Sequence, residues 1–239
     1  MHVPTLRNLV FVSAALMSMF LGCASKPTSG GPGIYRGVLV GVGEMGTMDV
    51  TVGEAASGAL PASGGLVDLD GTAVTLSGAL NQSNASLSLS STTGYQLTGD
   101  SRPGYANGSY QSPLGPGEFA LLLEPASGSS IKTFCGSYVS TASTDASPIP
   151  FAITAVPDGG AICVGPNFAW YGYMDPFDYV SCSVGSGLFY GNANADAGNQ
   201  WGTGTTDGDG GTWMVTPCGS STSAGQDGGA SATEDAALD

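Results

Sequence analysis

Side-chain catalysis needs a nucleophile beside a base, a cluster of metal ligands, or two carboxyl groups held in a cleft. This chain of 239 residues is poor in the first two. Its one histidine, His2, lies in an N-terminal segment that reads as a cleaved signal. Beyond that segment there is no imidazole for a Ser-His or Cys-His pair and no histidine metal ligand. Carboxylate-only chemistry survives. Asp68 and Asp70 alternate onto one strand face, and Asp175 lies close to Asp178. Either pair could serve as acid and nucleophile in a hydrolase. The plainer reading is solvent-facing and turn residues, because nothing nearby in sequence would hold one proton more tightly than the other.

Three motifs carry less chemistry than their patterns suggest. Gly41-Val-Gly43-Glu-Met-Gly46 fits G-x-G-x-x-G, but the following Thr47–Val52 alternates as a strand. A dinucleotide site would need a helix there, so the glycines read as a hairpin turn. Asp207-Gly-Asp209-Gly-Gly211 resembles the start of a calcium loop but lacks its distal glutamate, and reads as a turn. Asn81, Asn84 and Asn107 each begin an N-x-S triplet, a glycan acceptor in a eukaryotic secreted chain and otherwise a mark of polar turn residues. The densest functional signal is aromatic: Phe168, Trp170, Tyr171, Tyr173, Phe177, Tyr179, Phe189 and Tyr190 lie within 23 residues. Trp170, Tyr171 and Tyr173 are candidate ligand-binding residues, able to stack on sugar rings or anchor a partner protein. Alternatively, Phe168 and Trp170 fill a barrel while Tyr171 and Tyr173 cover its outside.

Composition narrows the partners and the compartment. Past the signal, Lys26, Arg36, Arg102 and Lys132 face 19 carboxylates, a net charge of −15. Phosphate binding requires clustered Lys and Arg, so nucleic acid is excluded. Cys135, Cys163, Cys182 and Cys218 form an even set without a C-x-x-C pair, which argues for two disulfides in an exported chain and against zinc. Of three connectivities, Cys135–Cys218 with Cys163–Cys182 would clasp both ends of one module.

Export rests on the first residues. Arg7 is followed by the apolar run Leu9–Phe20, long enough for a signal peptide and too short to span a bilayer. Phe20-Leu21-Gly22-Cys23 resembles the lipobox of bacterial lipoproteins, with Gly22 and Cys23 in place, although the usual order before them is Leu and then a small residue. The resemblance implies that Cys23 is acylated through sulfur and becomes the new N-terminus. It further implies attachment to the membrane by that lipid, and outer-membrane sorting because Ala24 follows. Two or three acyl chains suffice for stable anchoring. The alternative is ordinary cleavage after Gly22-Cys23-Ala24 and a soluble secreted protein.

The elements that must position these residues are strands. Gly, Ser and Thr replace the usual charged residues, which disfavours helix interiors. Period-two alternation recurs at hairpin spacing: Met48, Val50 and Val52; Val74 and Leu76; Leu87 and Leu89; Phe119, Leu121 and Leu123. The expected fold is all-β. Residues 1–22 form a signal helix and 23–33 a flexible tether. Two tandem antiparallel meanders, at 34–124 and 131–218, close as small barrels or curl as sandwich sheets, and 219–239 is a disordered acidic tail. Gly108-Ser-Tyr110 with Gly117-Glu-Phe119 matches Gly202-Thr-Gly204 with Gly211-Thr-Trp213 at a constant offset, which suggests a repeat. These strand ends resemble the Gly/Thr/Trp-rich meanders of bacterial lipoproteins and, weakly, of avidin-like barrels. The functional expectation is a lipid-anchored, non-enzymatic structural or interaction protein of the cell envelope, without cofactor or metal. The alternatives are a glycan- or hydrophobic-ligand-binding module and, more distantly, a carboxylate-dependent hydrolase.

Overall fold

A computed structural model describes residues 29–54, 58–126, 130–140, 147–184, 187–193, 200–203 and 210–219. The expected signal segment, Cys23, residues 24–28, Asp207, Asp209 and the chain beyond Gly219 lie outside the described residues. Sixteen strands and no helix occur among them.

The first eight strands are β1 (Gly33–Gly41), β2 (Glu44–Val52), β3 (Ala59–Asp68), β4 (Ala73–Asn81), β5 (Ser86–Ser90), β6 (Gln96–Arg102), β7 (Tyr105–Ser112) and β8 (Gly115–Leu123). Each pairs antiparallel with the next, and β8 returns to β1, from Tyr35 opposite Leu123 to Gly41 opposite Gly117. The sheet is therefore a closed barrel. Its bore is filled by Leu39, Met48, Leu66, Leu76, Leu89, Leu97 and Phe119, all about fully buried, so it is a packed core and not a channel. Glycine shapes this wall as well as its turns. Gly37, Gly64, Gly78, Gly99 and Gly108 sit at inward positions within strands, where an added Cβ would fall 1.8 to 2.2 Å from a neighbouring strand's carbonyl oxygen. Such glycines mark the sharp bends a small barrel requires.

The second eight strands are β9 (Lys132–Ser140), β10 (Ile149–Ala155), β11 (Gly159–Gly165), β12 (Phe168–Met174), β13 (Tyr179–Val184), β14 (Gly187–Asn192), β15 (Gln200–Thr203) and β16 (Gly210–Pro217). They repeat the meander, and β9 closes it by pairing with both β10 and β16. This core is aromatic. Phe151 stacks on Phe189 at 4.7 Å between ring centres, Tyr138 meets Phe189 edge-on, and Trp213 and Trp170 pack from either side. Both disulfides take the expected pairing. Cys163–Cys182 is inside the bore and joins strands that both border β12; their Cα atoms are 6.1 Å apart. Strands two places apart in a flat sheet lie nearly 10 Å apart, so the wall folds sharply at β12. Gly172 faces the bore between these strands, where any side chain would strike the Ser181 carbonyl. Cys135–Cys218 lies outside the bore and fastens the chain just after β16 to β9.

The barrels stand side by side on a dry seam. Val38 and Val40 of β1, Ala120 and Leu122 of β8, Ala152 of β10, and Ile162 and Val164 of β11 form one buried cluster. All point away from their own bores, which is why Val38–Val40, Ala120–Leu122 and Ala161–Val164 run apolar without alternation. Thr154 is fully buried there, its hydroxyl 3.5 Å from the Arg36 carbonyl. Tyr171 packs its ring on Tyr105 at 4.8 Å and donates its hydroxyl to Asn107 across the seam. The starts of β1 and β9 thus lie at one end of the molecule, here the proximal end, and the β1–β2 turn at the distal end.

One boundary is corrected. The expected tether 23–33 includes residues built into the fold. The Tyr35 hydroxyl donates to the Gly31 carbonyl at 2.9 Å, Gly30 is buried beside Ser101, and β1 opens at Gly33. These contacts plug the proximal end of the first barrel.

Candidate functional site

With both bores filled, the hollows that both barrels line open along the seam toward the distal end. Two adjoining hollows, roughly 370 and 390 Å³, share Met45, Leu69, Gly136 and Ser137. The first also takes in Glu44, Asp68, Asp70 and Leu114 from the first barrel and Pro148 and Pro150 from the second. Apolar side chains are bare at this rim: Val42, Leu69 and Leu114 crown three hairpins.

Glu44 is the chemical centre of the distal end. The two-residue turn Val42-Gly43 reverses the chain after β1, and the alternation of β2 then aims Glu44 inward, on the same face as Met48 and Val50. Only 6% of its surface is exposed. Tyr95 donates to Oε1, Ser112 donates to Oε2 at 2.6 Å, and Tyr110 donates to Oε2 at 3.3 Å. Burial first, and then the carboxylate beside them, raise both tyrosine hydroxyls well above their ordinary value. A buried carboxylate ringed by neutral donors is a satisfied polar plug. It closes this barrel end as Tyr35 and Gly31 close the other.

The members of each carboxylate pair sit in different surroundings. Asp70 accepts the Thr72 amide at 2.9 Å, which holds its carboxyl below the ordinary range and makes it a turn cap. Asp68 is raised, by burial first and then by Glu44 and Asp70, and its Oδ1 has no hydrogen-bond partner among the described residues. The folded protein thus holds this proton more readily than the unfolded chain. The stabilisation is complete below the unfolded value, near pH 4, and is lost as pH rises through the raised folded value. Asp68→Asn is expected to raise the melting temperature at pH 7 and to have no effect near pH 3. The gain should stay under about 1 kcal/mol, because the carboxylate is partly solvated. A lower melting temperature at pH 7 would contradict this.

Asp175 and Asp178 serve one turn. Asp175 accepts the amides of Phe177 and Tyr179, both at 2.8 Å, while Asp178 is buried and paired with Lys132 at 2.6 Å. That ion pair caps the proximal end of the second barrel.

The three candidate binding aromatics do not share a face. Trp170 points into the bore against Phe168 and Phe189. Tyr171 and Tyr173 point outward from the same strand, as period-two geometry requires. Tyr171 is committed to the seam, and Tyr173 donates to Asp158. Glu44 went unnoticed in sequence because its hydroxyl partners lie 51 to 68 residues away. The adjacent signal, a charged residue opening an alternating strand on its apolar face, could have revealed it.

Comparison with protein-family models, curated proteins and solved structures finds no match to this chain.

Proposed function

We propose that the chain is a lipid-anchored protein of a bacterial cell envelope, held by acyl chains on Cys23 and serving a non-enzymatic structural or interaction role. The observation that supports this most is that both bores are packed solid with the chain's own side chains. A barrel of eight strands can carry a small ligand only if its interior is left open. Partners must then meet the outside, at the seam or the barrel ends. The buried Cys163–Cys182 bridge is in keeping with an oxidising compartment outside the cytosol.

The test is covalent. Labelled palmitate should enter the wild-type chain, globomycin should make its precursor accumulate, and Cys23→Ser should abolish labelling and move the protein from the membrane to the soluble fraction. A mature N-terminus without acyl chains on Cys23 would end the proposal.

A further inference from the structure

The proximal end displays an aromatic tip that the barrel does not need. Phe177, in the turn between β12 and β13, is 81% exposed. Tyr173 and Tyr179 flank it, each close to half exposed. The turn is rigid. Asp175 accepts two of its amides, Asn192 Nδ2 donates to the Phe177 carbonyl at 2.9 Å, and the Ala193 amide donates to the Asp178 carbonyl at 2.9 Å. Asp178 is held at φ 63°, a left-handed conformation costly for a residue with a side chain, and its carboxylate is locked by Lys132. The network fixes a strained turn and leaves Phe177 mostly exposed.

The N-terminal chain leaves the fold at the same end. Gly30 and Gly31 pack beside Tyr35 and Ser101, at the end where β1 begins. Lys132–Asp178 places the Phe177 turn where β9 begins, and the Thr154 contact with Arg36 brings those two ends together. Six residues lie between Cys23 and Gly30, and the seven steps from one to the other span at most about 24 Å. The distal crown of Val42, Leu69 and Leu114 is a nine-residue strand further away, about 30 Å.

From this we infer that Phe177, flanked by Tyr173 and Tyr179, inserts into the interfacial layer of the bilayer that holds the acylated N-terminus. The ligand is a phospholipid surface. The inference rests on the anchoring proposed above, and it makes the proximal end a membrane-facing base. An aromatic ring with a dry face and polar neighbours suits that depth.

The experiment places a photo-crosslinking side chain at either tip, Phe177→p-benzoylphenylalanine or Leu114→p-benzoylphenylalanine, in the full chain. Each variant is reconstituted in vesicles of phosphatidylethanolamine and phosphatidylglycerol. Phospholipid adducts should form at 177 about tenfold or more over 114, the preference that burial of a Phe-sized side chain confers. The mass of the N-terminal peptide from the same sample reports acylation of Cys23. Acylated Cys23 with equal adducts at the two positions, or with adducts to a protein at 177, overturns this inference and leaves the anchor standing. Unacylated Cys23 removes the anchor alone. The Cys23→Ser chain is then held on the vesicles by an N-terminal hexahistidine and a nickel-chelating lipid, and the same ratio decides the orientation.

Discussion

Gly64→Ala is expected to unfold or severely loosen the first barrel, while Gly65→Ala, one residue along, leaves it intact. The two glycines are adjacent in β3 but face opposite sides of the wall. A Cβ on Gly64 would lie 2.0 Å from the Asp49 carbonyl oxygen, with the Val50 Cα at 2.8 Å. Both obstacles are backbone of the paired strand, so relief requires separating β2 from β3. Overpacking of this kind costs about 3 kcal/mol, and more where the backbone cannot move. That is a large share of the 5 to 15 kcal/mol that roughly spans ordinary domain stability. A Cβ on Gly65 would meet nothing nearer than 3.8 Å. There the substitution should be neutral or stabilising by up to about 1 kcal/mol, since alanine has less backbone freedom to lose. Denaturant melts of the two variants against wild type give the comparison. Equal destabilisation by both would show that the close strand approach does not govern the barrel.

Removing the disulfides should collapse the second barrel and leave the first folded. In the chain-entropy description, Cys135–Cys218, which spans 83 residues, contributes about 4.5 kcal/mol, and Cys163–Cys182, which spans 19, about 3 kcal/mol. Losing both by Cys→Ala substitution would exceed the stability of many small domains. Tryptophan emission is a clean reporter, because Trp170, Trp201 and Trp213 all belong to the second barrel. Amide exchange in β2 to β6 follows the first. The variant should show solvent-exposed tryptophan at a denaturant concentration where those amides stay protected. The first barrel will not be untouched: without its neighbour, Val38, Val40, Ala120 and Leu122 face water. Its midpoint should fall modestly and its exposed apolar face should bind a hydrophobic dye. Simultaneous loss of both signals would mean that the seam makes the two barrels one cooperative unit. Reductant alone should act in order. Cys163 and Cys182 are fully buried, so the outer bridge opens first.

The strands were legible because each alternates. Leu87 and Leu89 between serines, or Met48, Val50 and Val52 between polar residues, can bury only one face. Closure was legible only as one of two options, small barrels or curled sandwich sheets, since pairing of β1 with β8 leaves no local mark. Glycine was harder to read. Gly43 and Gly71, both with positive φ, do what turn glycines do, but Gly37 and Gly64 are needed for their missing side chains inside strands. Composition cannot separate those uses. The seam was written in Val38–Val40 and Ala120–Leu122 as unbroken apolar runs, yet an unbroken run does not say what covers its second face. Trp170 and Tyr171 point opposite ways for the simplest reason, adjacency in a strand, and that parity outweighs their shared chemistry.

The closing seam of the first barrel also bears on the order of assembly. Seven of its eight pairings join consecutive strands and need only local turns; the eighth joins β1 to β8 across the whole module. Loop-closure entropy makes that last pairing the slow one. β1 and β8 are also the two strands on which the second barrel rests. The slow β1–β8 closure thus also sets when the surface that receives β10 and β11 is complete, which couples the assembly of the second barrel to that of the first.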